Sequence, residues 1–178
     1  MYNPEEDSYL LSEAIEKHLS NLNNKNIKTL DLGTGSGIQA ETMSHFIEKK
    51  NILCSDIDDF SLNHVKNKGF KVLTSNLFSK IQGKFDLITF NPPYLPENKH
   101  DKGIDTSGGK KGDEVILKFL KQAKSHLNEN GVILLLLSSL TPKKRILELL
   151  DKLKYKAEII AEKKLFFEQL EVWQIRPS

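Results

Sequence analysis

Residues that crosslink a chain or bind metals are scarce in this 178-residue sequence. Cys54 is the only cysteine, which excludes an intramolecular disulfide, and the five histidines lack the spacing of metal ligands, so we expect no metal site. Long apolar runs are missing as well. The longest, 132–137, is far shorter than the roughly 20 residues that span a bilayer. A strong charge imbalance is also absent, because the net charge is +2 and the lysines are spread along the chain. Nucleic-acid binding is neither demanded nor excluded.

The first residues, "MYNPEEDSYLL", are acidic where a secretory signal would be basic. We therefore expect a cytoplasmic protein that does not bind membranes. A chain of this length can bury roughly 70% of the surface that its unfolded form exposes, and no repeat or linker interrupts it. We expect a single domain over residues 1–178.

Short apolar runs alternate with segments of helical period after an amphipathic opening stretch, 6–18. This alternation predicts an α/β fold with a mainly parallel sheet. The last two apolar runs are separated by only a few residues, which predicts an antiparallel hairpin at the end of the chain. The predicted strands are 27–32, 51–57, 70–76, 85–90, 131–139, 155–165 and 170–176, and the predicted helices are 38–49, 60–68, 113–127 and 142–153.

Two local signals refine this outline. Thr141 is expected to be the N-cap of the last helix, with Pro142 at the favoured first helical position. The segment 97–112 is polar and rich in glycine, which predicts a long loop, and long loops in compact domains are often functional.

A glycine-rich stretch, "LDLGTGSG", follows the first predicted strand and opens a helix. Gly33, Gly35 and Gly37 permit a tight turn whose backbone N–H groups can approach a ligand. Asp31 precedes the turn, and its carboxylate would repel a pyrophosphate but can accept hydrogen bonds from an ammonium. The pattern favours a cofactor that carries an amino acid over a dinucleotide, although a turn without a ligand is the alternative.

Polar residues also follow the second and third predicted strands. Asp56 occupies the place where doubly wound nucleotide sites put the acid that binds ribose hydroxyls. Asp58 is interpreted as the cap of the next helix. Asn76 could bind the edge of an adenine or could simply be a turn asparagine.

The fourth strand is followed by "NPPY", in which Pro92 and Pro93 make the chain leave the sheet. The proline after Asn91 also restricts its backbone. The predicted result is a rigid bracket that holds the Asn91 amide, with Tyr94 beside it. An ordinary strand-ending turn is the alternative interpretation.

Together, "LDLGTGSG", "SDID", "SNLF" and "FNPPY" resemble a class I S-adenosylmethionine-dependent methyltransferase, and "MYNPEEDSYLL" and "GGKKGDEV" resemble the short HemK-type glutamine methyltransferases. The resemblance implies a Rossmann-like, seven-stranded, mostly parallel sheet with helices on both faces, and a helical segment, 1–25, that contributes to the cofactor pocket. It places the methionine end at Ser8 and Asp31, the ribose at Asp56, and the adenine at Asn76, where the family usually has aspartate. The implied cofactor-binding residues are Ser8, Asp31, Gly33, Gly35, Asp56, Ile57, Asn76, Leu77 and Asn91.

The implied reaction is methylation of a glutamine amide nitrogen, in the Gly-Gly-Gln motif of a translation release factor. Asn91, Pro92 and Tyr94 would be catalytic, and Pro93 would complete the substrate-binding set. The bracket could accept both N–H groups of a planar nitrogen and aim it at the methyl group. An exocyclic amine of RNA or DNA has the same planar shape, so base methylation is an alternative, and a noncatalytic cofactor-binding subunit is another.

The resemblance further implies a partner. Strand 69–75 would form an exposed edge of the sheet, where a small zinc-binding activator protein could add a strand. The alternative is an edge that the chain's own loops cover.

Overall fold

A computed structural model describes residues 4–93 and 112–178. The helices are α1 (Glu6–Ser20), α2 (Ile38–Ser44), α3 (Asp59–Asn67), α4 (Glu114–Ala123) and α5 (Lys143–Lys152), with short 3₁₀ helices at Lys49–Asn51 and Lys124–His126. The strands are β1 (Thr29–Leu32), β2 (Ile52–Asp56), β3 (Lys71–Thr74), β4 (Phe85–Phe90), β5 (Leu127–Ser138), β6 (Tyr155–Lys164) and β7 (Gln169–Pro177).

The strands form one seven-stranded sheet in the order β3-β2-β1-β4-β5-β7-β6. The pairs from β3 through β5 are parallel, whereas β7 runs antiparallel to both β5 and β6. The predicted sheet and its C-terminal hairpin are therefore confirmed, and β3 lies at an edge as expected. Because parallel strands present their carboxyl ends at one edge, the polar residues after β1, β2 and β4 are brought together there.

Both faces of the sheet are covered by helices, as the two hydrophobic clusters demonstrate. One cluster joins the sheet to α4 and α5 through Phe119 and Ile146. The other joins it to α1, α2 and α3 through Ile15, Met43 and Val65. Nearly every residue of β1, β4 and the second half of β5 is buried, as expected for strands covered on both sides. Among the described helices, none is both long enough and apolar enough to cross a membrane.

Some predicted boundaries are wrong. Helix α2 ends at Ser44, and the chain then turns through the 3₁₀ segment before β2. Strand β5 begins at Leu127, because Leu127 pairs with Phe85 before an irregularity leads into the regular register at Leu87. The Thr141 N-cap is also wrong. Pro142 has an extended ψ of 93° and is itself the residue before α5, so the helix begins one residue later. The predicted loop 97–112 lies outside the described residues except for Gly112.

Candidate active site

The glycine-rich turn joins β1 to α2 in a left-handed conformation. Gly33, Gly35 and Gly37 have φ values of 65°, 51° and 83°, which favour glycine. Gly37 is also constrained sterically, because a Cβ there would lie 2.8 Å from Cγ2 of Val65. The N–H of Gly35 donates to an Asp56 carboxylate oxygen at 2.9 Å. This contact ties the turn to the end of β2.

Asp31 lies at the base of this turn and is buried. Its two carboxylate oxygens accept hydrogen bonds from the Thr34 hydroxyl at 2.6 Å and from the Thr89 hydroxyl at 3.0 Å. The pKa of Asp31 is raised to about 6, mainly by burial and to a smaller extent by the neighbouring Asp56 charge. The hydrogen bonds from Thr34 and Thr89 oppose this increase in the pKa. Burial disfavours the charged form of this carboxylate, and a cationic ligand would stabilise that form. Asp31 is therefore well suited to bind a cation.

Asp56 ends β2, and its second oxygen accepts from the backbone N–H of Asp58 at 3.0 Å. Each carboxylate oxygen has a second lone pair, so Asp56 can still accept hydrogen bonds from a ligand. Ile57, which follows, is 53% exposed although it is a large apolar residue. The predicted cap at Asp58 is confirmed, because its side chain accepts from the N–H groups of Phe60 and Ser61.

The turn after β3 holds its backbone in an unusual conformation. Leu77 has φ of 49°, a left-handed value that is uncommon for a leucine. The Ser75 hydroxyl supports this turn by donating to the Leu77 carbonyl at 2.8 Å and accepting from the Lys80 N–H at 3.1 Å. Asn76 lies between Ser75 and Leu77, so its position is fixed by the turn.

Asn91 follows β4, and its two side-chain atoms have different surroundings. Nδ2 donates to the Asp7 carboxylate at 3.1 Å. Oδ1 is buried and has no hydrogen-bond partner among the residues that the structure describes. Asp7 also accepts from the backbone N–H of Ser8 at 2.5 Å, so helix α1 holds its carboxylate in place. Since a carboxylate only accepts, this contact requires the Asn91 NH₂ to face Asp7, and the amide oxygen is left without a partner in the described chain.

These residues line one cleft of about 680 Å³ at the carboxyl edge of the sheet. It brings together all but one of the predicted site residues, namely Ser8, Asp31, Gly33, Gly35, Asp56, Ile57, Asn76, Leu77, Asn91, Pro92 and Pro93. Tyr94 lies outside the described residues. The lining also includes Val115 and Lys118 of α4 and Glu168 between β6 and β7.

Sequence reasoning did not single out Asp7, Thr34, Thr89 or Gln39. Gln39 fastens α1 to α2, because its Nε2 donates to the Ser8 carbonyl at 2.9 Å. The acidic "EED" of the opening stretch was visible in the sequence, but its contact with Asn91 joins residues 84 positions apart. A buried threonine near an aspartate carries no comparable local signal.

Several known proteins are similar to this chain in sequence. The methyltransferase small domain profile matches residues 7–167. A Methanocaldococcus jannaschii protein named as an N5-glutamine methyltransferase is 36% identical, over 97% of this chain and 89% of that protein. The mouse methyltransferase HEMK2 is 30% identical, over 76% of this chain and 70% of that protein. The ribosomal RNA small subunit methyltransferase C of Haemophilus influenzae is 34% identical over 74% of this chain, but over only 39% of its own length.

Among solved structures, the E. cuniculi Mtq2–Trm112 complex, responsible for methylation of the eRF1 translation termination factor, is similar over 99% of this chain and 98% of the matched chain. The TM-score is 0.81 and the sequence identity is 25%. The resemblance to HemK-type methyltransferases is therefore confirmed, and the chain belongs to the methyltransferase small domain family.

Proposed function

We propose that this protein methylates the side-chain amide nitrogen of a glutamine in a translation release factor, with S-adenosylmethionine as the methyl donor. The observation that carries the proposal is the Asn91 amide, whose oxygen is buried without a partner in the described part of the chain while its NH₂ is held by Asp7. An unpaired buried acceptor costs about 1–3 kcal/mol. That cost is explained if a substrate N–H group supplies the missing partner.

The bracket suits a nitrogen that is a poor nucleophile. The lone pair of an amide nitrogen is delocalised, and no ordinary side chain deprotonates it at neutral pH. Asn91 Oδ1 and the Pro92 carbonyl would instead accept its two N–H groups and orient the lone pair. Correct orientation of two reactants can lower a barrier by roughly 7–11 kcal/mol. As positive charge develops on the nitrogen, the accepting oxygens stabilise it more than they stabilise the amide itself.

The residues of the cleft fit the proposed cofactor. S-adenosylmethionine, when bound, supplies a methyl group made electrophilic by a sulfonium. The buried Asp31 carboxylate would provide a counter-charge for a ligand ammonium, and Ser8 lines the same cleft. Asp56 would accept from ribose hydroxyls, and Asn76 and Leu77 would contact the adenine. Asn76 retains a carbonyl acceptor for an adenine amine, with less charge assistance than an aspartate gives.

The proposed substrate class is inferred from the names of the similar proteins. The Methanocaldococcus relative is named for glutamine, and the Mtq2–Trm112 complex is described as methylating eRF1. By the resemblance, the reacting glutamine would be that of a Gly-Gly-Gln motif. The Haemophilus relative supports the second candidate, an exocyclic amine of RNA, because a planar amine would fit the same bracket.

One experiment separates these candidates. The protein would be incubated with methyl-labelled S-adenosylmethionine and either whole release factor or total RNA, beside an Asn91→Ala control. We expect label on the factor, at glutamine, and almost none with the variant. Label only in RNA would contradict the proposal, and cofactor binding without turnover on either substrate would favour a noncatalytic role.

We also propose that a small activator protein, zinc-binding as in the family resemblance, adds a strand to β3. β3 is one of the two edge strands of the sheet, and its Lys71 and Thr74 side chains are exposed. The similar Mtq2 structure is that of a complex with a second protein, Trm112. The complex would act in the cytoplasm on its release factor, with residues 1–178 as one domain. Copurification from the native source tests this partner, and a fully active monomer without it would contradict the idea.

A further inference from the structure

The turn between β6 and β7 carries two phenylalanines that the fold does not bury. Leu165 N–H donates to the Glu168 carbonyl at 2.8 Å, which closes a four-residue turn with Phe166 and Phe167 at its centre. These side chains are 93% and 86% exposed, and their rings meet edge to face with centroids 4.6 Å apart. Turn centres usually contain glycine, asparagine, aspartate or proline. Folding of the described chain therefore gives no reason for two aromatic residues here.

The turn lies beside the candidate active site. Glu168, the next residue, lines the cleft, and its carboxylate accepts from the hydroxyl of Ser138 at the end of β5 at 2.5 Å. Since β5 and β4 are parallel neighbours, the end of β5 and Asn91 share the same edge of the sheet. Leu140, which is 47% exposed, comes two residues after the end of β5 and directly after Ser139. We call Phe166, Phe167 and Leu140 the apolar rim.

Hydrogen bonds and an ion pair hold the backbone that carries the apolar rim in place. Ser139 N–H donates to the Gln169 carbonyl at 2.8 Å, and Gln169 N–H donates to the Ser139 hydroxyl at 2.9 Å. An ion pair between Lys163 and Glu6 ties β6 to the first turn of α1. Aromatic side chains on a fixed backbone lose little entropy on binding, which is the property of interface residues that dominate affinity.

We propose that the apolar rim is the docking surface for the protein substrate, and that it binds an apolar patch of the release factor beside the reacting glutamine. This inference rests on the proposed function. Glu168 lines the same cleft as Asn91 and directly follows the two phenylalanines, so a protein bound at the cleft would lie close to the rim. A nucleic acid is a poorer occupant, because the Glu168 carboxylate, which follows the two phenylalanines and lines the cleft, would repel phosphate.

The rim is too small to hold a second copy of the chain by itself. Two exposed phenylalanines offer about 300–500 Å² of surface, whereas a stable interface buries roughly 800 Å² on each partner. The apolar rim would therefore supply a few dominant contacts of a larger interface, and other parts of the bound substrate would supply the rest.

The test compares Phe166→Ser/Phe167→Ser with Leu147→Ser, which removes a half-exposed apolar side chain from α5. Serine is favoured in turns, so the double variant should fold. Steady-state kinetics with whole release factor should show KM raised about tenfold or more, with kcat and cofactor Kd unchanged, as expected for lost uniform binding. The control should stay within about twofold of the wild type.

Several outcomes would overturn the inference. A double variant with wild-type KM would refute docking while leaving the proposed function intact. A wild-type protein that does not methylate the factor would refute the proposed function and the inference with it. A concentration-dependent dimer that the double variant abolishes, or binding of wild type but not of the variant to anionic phospholipid vesicles, together with unchanged KM, would assign the rim to self-association or to a membrane.

Discussion

Asp7 is expected to position Asn91, and the exchange Asp7→Asn tests this with a minimal change of shape. In the wild type, the carboxylate accepts from Asn91 Nδ2, so Oδ1 faces away from Asp7. The amide introduced at position 7 would keep an acceptor for the Ser8 N–H, but its NH₂ would then confront the Asn91 NH₂. Asn91 would relieve this conflict by turning its amide over, which presents a donor to the substrate instead of an acceptor.

The expected loss is that of a hydrogen bond to a charged group, about 1.5–3 kcal/mol. If it is expressed in the transition state, kcat falls about 10- to 150-fold. Single-turnover methylation of release factor measures this loss, with cofactor Kd measured separately by calorimetry. Ser12→Ala is the control, because Ser12 lies on the same helix and donates to Gln39 at 3.0 Å without contacting Asn91.

A double exchange distinguishes positioning from general damage to α1. Asn91→Asp in the wild-type background would place two carboxylates at a contact of 3.1 Å and should be severely impaired. In combination with Asp7→Asn, the new carboxylate at position 91 accepts from the new amide at position 7 and keeps an acceptor for the substrate on its other side. The double variant should be more active than Asn91→Asp alone. Strictly additive losses, or Asp7→Asn with kcat within about twofold of the wild type, would refute the positioning role.

Three further variants probe the cofactor end of the cleft. Burial raises the pKa of Asp31 to about 6. Affinity for S-adenosylmethionine, measured by calorimetry, should therefore be constant above pH 7 and fall up to tenfold per pH unit below pH 6. The Asp31→Asn variant should bind the cofactor weakly, and its affinity should not depend on pH in this range. The same shift makes the ligand-free protein less stable as pH rises from about 4 to 6, because the native state holds this proton more tightly than the unfolded state does. Asp56→Ala should weaken cofactor binding by about 1.5–3 kcal/mol, and unchanged affinity would exclude the ribose role. Gly37→Ala should lower the melting temperature more than Gly83→Ala does. Both glycines have φ near 84°, but only an alanine at position 37 would also push its Cβ into Val65. Equal decreases in melting temperature would contradict this expectation.

The strands of this fold are predictable because burial on both faces of the sheet leaves continuous apolar runs. The run of β5 is an instructive exception. Its first residues, Leu127 to Asn130, contain Asn128 and Glu129 and show no strand pattern, and they are extended because Leu127 pairs with Phe85. The order of the strands was predictable only through the family resemblance, since the period of a strand does not determine its neighbours.

Some residues of the candidate site were also predictable from the sequence, and others were not. Asp31, Asp56 and Asn91 were predictable because each lies at or just after the end of an apolar strand, where parallel strands bring their residues together. Asp7 was not, because its importance lies in a contact across 84 positions with a residue on another element. The left-handed backbone of Leu77 was equally hidden, since leucine carries no signal for that conformation.

Three energetic costs of the described structure lie in this cleft. Asp31 is ionised at neutral pH despite its burial, Asn91 Oδ1 lacks a partner in the described chain, and Leu77 has a backbone conformation that costs about 1–3 kcal/mol. Each cost belongs to a group that a ligand would meet: a cation for Asp31, an N–H donor for Asn91, and a flat ring for the turn at Leu77. The surrounding sheet, buried on both faces, keeps these groups in place before any ligand binds. Because that arrangement exists in advance, binding energy need not be spent on forming it, and under the proposed function orientation of the reacting nitrogen would be the main contribution of the protein to catalysis.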